Sequence, residues 1–123
     1  MKRITITLSL IFVSFLLVGQ TLETERIEIG PGPEDFVLDD NLLIISCAER
    51  RAENESKNGI YTLNLDDNSK NQFEIVLKTP RKFHPHGISL VTLEGKKYLF
   101  VVNHITSKIA EIICFEVFSN KLV

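Results

Sequence analysis

The sequence predicts an all-β fold, and three observations predict it. Apolar runs are short, rich in Ile, Val, Phe, Tyr and Leu, and bounded by turn residues at short spacing. No window holds helical periodicity over ten residues. The order of runs and turns also repeats. One unit is Pro33-Glu34-Asp35-Phe36-Val37-Leu38, then Leu42–Cys47, then Gly59–Leu65. The other is Pro85-His86-Gly87-Ile88-Ser89-Leu90, then Tyr98–Asn103, then Lys108–Val117, and the two leading prolines stand 52 residues apart. Four-stranded sheets recurring every 40–50 residues or so are the signature of propeller blades.

Taken in order, Leu42–Cys47 is a strand entered through Asp39-Asp40-Asn41. Ile60–Leu65 follows the turn signal Asn58-Gly59 and stops at Asp66-Asp67-Asn68. Phe73–Leu77 alternates weakly and ends before Pro80. Ile88–Leu93 turns at Glu94-Gly95 into the continuous run Tyr98–Val102, and Ile109–Phe118 is interrupted only by Glu111 and Glu116. The segment 49–57 is a charged insertion between two strands and reads as a solvated loop. Within it Asn54-Glu55-Ser56 fits a glycosylation acceptor.

The N-terminus differs in kind. Met1-Lys2-Arg3 is a basic start, and Ile4 to Val18 is an uncharged, largely apolar stretch before Gly19-Gln20-Thr21. Residues 1–20 read as a signal peptide or an uncleaved hydrophobic anchor, and 21–123 as the folded part. The apolar stretch falls short of the ~20 residues of a relaxed membrane span. Gln20 stands where a lipoprotein signal needs cysteine, which excludes lipidation there. The expected location is secreted, extracellular or periplasmic, with possible membrane or lipid-surface association through this segment.

Composition narrows the partners. The chain of 123 residues is 24% charged with a net charge of −2, and its acidic and basic residues are interspersed. That gives no electrostatic footprint for nucleic acid or anionic lipid. Cys47 and Cys114 both lie in apolar runs. An exported protein can carry a disulfide, but the favoured reading is two buried free thiols that pack as small hydrophobes.

Two clusters could carry chemistry, each at the proline-headed start of a repeat. Glu34 and Asp35 are adjacent carboxylates on a stiff turn, able to face two different cations, since hard cations take carboxylate and carbonyl oxygens. The same residues also make ordinary turns. The three histidines are His84, His86 and His104. Antiparallel pairing places the start of one strand beside the end of the next, so His86 and His104 should meet at one rim. Paired imidazoles there suit general-base chemistry, and they equally suit rim residues bonded to loop backbone.

At these residues the chain resembles the paraoxonase/arylesterase family. The carrying segments are Pro33-Glu34-Asp35, Ile44-Ile45-Ser46, Asn58 to Leu65, Phe83-His84-Pro85-His86-Gly87-Ile88-Ser89, and Tyr98 to His104. The resemblance covers nearly all of 21–123 but only about the first third of a family member. It implies the first two blades of a six-bladed β-propeller, incomplete in this chain, and a calcium-dependent hydrolase of aryl esters or lactones. Calcium is the implied cofactor, and a small ester or lactone the implied substrate. By position, Glu34 would bind a catalytic calcium. Asp35 and the backbone carbonyl of Ile88 would bind a structural one. His86 would be the general base and His104 would tune it. Three departures stand out: Glu23 replaces the family's N-terminal cysteine, His84 replaces an Asn, and the later calcium ligands lie beyond Val123. A truncated fragment with little activity alone is therefore expected. The alternative is a non-catalytic, membrane-tethered propeller-type protein with a binding or chaperone-like role.

Overall fold

The computed structural model describes residues 23–49, 57–76 and 82–123. The leader 1–20, most of the charged insertion with its acceptor site at Asn54, and Leu77 lie outside the described residues. The described chain is all-β. Its nine strands are β1 (Pro33–Asp39), β2 (Leu42–Cys47), β3 (Gly59–Asn64), β4 (Lys70–Gln72), β5 (Glu74–Ile75), β6 (Pro85–Leu93), β7 (Lys96–His104), β8 (Ala110–Phe118) and β9 (Lys121–Leu122). One sheet runs β1-β2-β3-β4, and the other runs β5-β9-β8-β7-β6. Pairing is antiparallel throughout, except that β5 joins β9 in parallel. Among the described residues the two sheets remain open and close into neither a barrel nor a complete propeller.

The hairpins follow from turn chemistry. Glu94 and Gly95 both take positive φ (51° and 78°) and join Leu93 to Lys96, the two-residue turn whose twist matches the flanking strands. Asp40 at φ 53° serves the β1–β2 hairpin. Gly32 is required at the entrance to β1: its φ is +47°, and a Cβ there would lie 2.4 Å from the carbonyl oxygen of Ala48. The sheet edge strand β4 was invisible as an apolar run because Lys70, Asn71 and Gln72 are all exposed. Phe73 does not belong to a strand. It is buried between β4 and β5, with its N–H bonded to the Ile60 carbonyl.

Strand alternation sorts the side chains into three layers. Ile44 and Ile60 of the first sheet meet Ile88, Leu99, Val101, Phe115 and Leu122 of the second in one buried cluster. Phe83 caps it edge-on to Phe115, with centroids 6.3 Å apart and rings at 83°. Behind the first sheet, Ile45, Cys47 and Leu63 form a second cluster under Ile27, Ile29 and Tyr61. Cys47 is buried as expected, but Cys114 is exposed, and both thiols are free. The correction has a simple cause. Cys114 pairs with Phe100 on the side of β7 and β8 opposite Leu99 and Phe115, so it points away from the core.

Candidate functional site

The starts of β1 and β6 lie side by side where the two sheets adjoin. Both strands begin with proline, which cannot donate to a ladder and so sits naturally at a first position or a bulge. Both pairings slip at that point, between Pro33 and Asp35 on β1 and between Pro85 and Ile88 on β6. A bulge bends its strand and re-aims side chains. Here the irregularities put Glu34 and Asp35 against His86, Gly87 and Ile88.

The two carboxylates do different things. A Glu34 oxygen (Oε2) lies 3.6 Å from His86 Nδ1, with both side chains largely shielded from solvent. Asp35 accepts two backbone hydrogen bonds, at 2.9 Å from Phe36 N–H on Oδ1 and 2.9 Å from Ile88 N–H on Oδ2. Both carboxylates reach the start of β6, Glu34 at the His86 ring and Asp35 at the Ile88 backbone. Ser46, fully buried on β2, reinforces the junction: its hydroxyl donates to the His86 carbonyl and lies 3.3 Å from that of Asp35. Three strands are thus tied at one point.

His86 and His104 meet as antiparallel pairing requires, with ring centroids 4.3 Å apart and planes tilted by 51°. His104 N–H bonds to the His84 carbonyl at 3.0 Å, fixing the approach to β6. Glu34, His86 and His104 are therefore contiguous, with Asp35 and Ile88 beside them. Ile88 itself is a core residue, and its backbone N–H is held by Asp35.

Asn103 is the residue the sequence reading passed over. It is fully buried, with its Oδ1 2.7 Å from His84 N–H and its Nδ2 3.1 Å from the Lys82 carbonyl and 3.0 Å from Glu111 Oε1. It locks the segment leading into His86. The signal was an amide ending the apolar run Tyr98–Val102, since a polar group so placed needs its partners inside the protein. Asn58 plays a lesser version of this part, accepting from Glu49 N–H at 2.8 Å and donating to the Phe83 carbonyl at 3.2 Å.

As a metal site this edge is partial. Calcium takes about six to eight oxygen ligands. Glu34, Asp35 and the Ile88 carbonyl are donors of suitable chemistry, but too few. Among the described residues no group of three or more His, Cys, Asp and Glu side chains is gathered for a metal. No family model, curated protein or solved structure matches the chain.

Proposed function

We propose that the edge formed by Glu34, His86 and His104 is the hydrolytic centre of a calcium-dependent aryl ester or lactone hydrolase. In this proposal the chain forms the first two blades of a six-bladed β-propeller of the paraoxonase/arylesterase type. The observation that carries the reading is the convergence of a carboxylate and an imidazole from strand starts 52 residues apart in the sequence, joined by a second imidazole at the end of β7. The sheet order supports the blade reading: each unit runs as a meander outward from β1 or β6, and these two innermost strands adjoin.

In this mechanism His86 takes the proton of an attacking water. Glu34, beside Nδ1, stabilises the imidazolium that forms and orients the ring, so that Nε2 faces the water. His104 packs against the His86 ring and restricts its rotation. Ser46 and Asp35 hold the backbone that carries His86 and Ile88. Calcium, when bound, polarises an ester or lactone carbonyl. Glu34 would hold that ion only in part, as Asp35 and the Ile88 carbonyl would hold a structural one only in part, so the isolated chain has little hydrolytic activity in this proposal. The apolar stretch 4–18 supports export or membrane tethering.

Calcium titration of the full chain, followed by NMR, tests this. Amide shifts should localise to 34–36 and 86–88, with half-saturation in the millimolar range or weaker, and Glu34→Gln should weaken them further. Any slow phenyl acetate or lactone hydrolysis should be lost in His86→Gln and reduced less in His104→Gln. A calcium response that is absent or scattered over the surface, together with hydrolysis indifferent to His86→Gln, would overturn the assignment.

A further inference from the structure

Among the described residues nothing covers one side of the second sheet, and that side repeats, position for position, a side buried inside the molecule. Ser89 stands 52 residues after Val37 and points the same way from its sheet. Phe100 pairs with Ser89 as Ile44 pairs with Val37. Cys114 pairs with Phe100 as Thr62 pairs with Ile44, and Ile112 pairs with Val102 as Ile60 pairs with Ser46. Ile44, Ile60 and Thr62 are buried, the two isoleucines in the shared core. Their counterparts lie on the other side, with Ile112 72% exposed, Cys114 exposed and Phe100 half-buried. An exposed apolar sheet face of this kind marks an interaction surface.

The same register identifies what fits it. Inside the molecule, the side carrying Ile44 and Ile60 is covered by the side of the second sheet that carries Ile88 and Leu90. Their counterparts on the first sheet are Phe36 and Leu38, again 52 residues earlier. These are exposed, at 65% and 58%, on the back of that sheet. Ile27 and Ile29 cover the neighbouring Ile45, Cys47 and Leu63 but leave this strip of β1 open. The molecule thus ends in two unlike apolar sides, each the counterpart of one partner in its own internal interface.

We infer that a second copy of the chain docks head to tail, the Phe36–Leu38 strip of one copy lying on the Phe100–Ile112–Cys114 side of the next. Contacts between unlike patches propagate, closing into a ring or extending as a filament, whereas a two-fold contact joins like patches. Association of this kind requires neither calcium nor hydrolysis.

Sedimentation velocity of the full chain, without calcium and in a non-ionic detergent that masks the stretch 4–18, tests it. The wild type should sediment above monomer mass in a concentration-dependent way. Phe36→Glu and Ile112→Glu should each sediment as monomers, with circular dichroism unchanged because both positions are exposed. An equimolar mixture of the two variants should restore a two-chain species, since each supplies the patch that the other lacks. Leu38→Glu and Cys114→Glu repeat the test if either first variant misfolds. A monomeric wild type, a Phe36→Glu variant that assembles like wild type, or a mixture that stays monomeric would overturn head-to-tail docking.

Discussion

Cys47 and Asn103 occupy matching places in the two sheets, each paired with the proline that opens its repeat. Both are fully buried, yet their surroundings are opposite in character. Cys47 packs with Ile45, Leu63 and Tyr61 in an apolar cluster, and burial pushes its thiol from 9.0 up to about 11. Asn103 is a polar hub that ties together Lys82, His84 and Glu111. One backbone position therefore serves packing in the first sheet and site assembly in the second. The repeat dictates where a buried side chain goes, and the chemistry of that side chain decides what its end of the sheet can do.

Breaking the polar hub should have the larger effect. Asn103→Ala strips the acceptor from the His84 N–H and the donor from the Lys82 carbonyl. It should cost on the order of 3 kcal/mol in urea denaturation, because buried groups left unsatisfied cost ~1–3 kcal/mol each. It should also separate the His86 and His104 rings, seen as loss of ring-to-ring NOEs. Unchanged stability and intact NOEs would show that the segment 82–84 holds itself.

The apolar counterpart responds to pH instead. Well below pH 9 the Cys47 thiol is neutral whether the chain is folded or unfolded, so its environment costs nothing. Between 9.0 and about 11 the unfolded chain loses this proton while the folded one keeps it, and folding stability falls as pH rises through that window. The fall should approach ~2.8 kcal/mol, two pKa units at about 1.4 kcal/mol each, and should be absent from Cys47→Ala. Identical pH slopes for the two proteins would contradict a protected thiol. Cys114 should be alkylated much faster than Cys47 in the native protein, because it is exposed.

The smallest effect belongs to the opposite end of the strands. There Lys97 on β7 reaches Asp39 on β1, with its Nζ 2.8 and 2.6 Å from the two carboxylate oxygens. This hydrogen bonding raises the lysine pKa, but the pair is part-exposed. Exposed ion pairs contribute about 0.2–1 kcal/mol and are screened by salt. Lys97→Met should therefore lower stability by less than about 1 kcal/mol, with the difference vanishing in high salt. A loss as large as that of Asn103→Ala would mean that this ion pair joins the two sheets far more strongly than an exposed pair does.

Much was legible in the sequence because strand patterning is local. The run Leu42–Cys47 is β2 to the residue, and Glu94-Gly95 is the turn its chemistry demands. The meeting of His86 and His104 followed from antiparallel pairing alone. Adjacent strands in an antiparallel sheet have few ways to align once the turn is known. β4 escaped notice because an exposed edge strand carries no apolar signal, and Cys114 because an apolar run does not say which side of a sheet becomes core.

By itself, then, the sequence determined the class of fold, the hairpins, the 52-residue repeat and the rim on which the histidines sit. Tertiary structure alone decided that Glu34 faces His86, that Asp35 holds the Ile88 N–H, and that Asn103 anchors the approach to both histidines. It also decided which apolar sides are covered. Local patterning is set by φ, ψ and side-chain alternation within a few residues. Contacts such as Asp35 to Ile88, which are 53 residues apart, exist only once two sheets have packed and two bulges have turned their side chains toward each other.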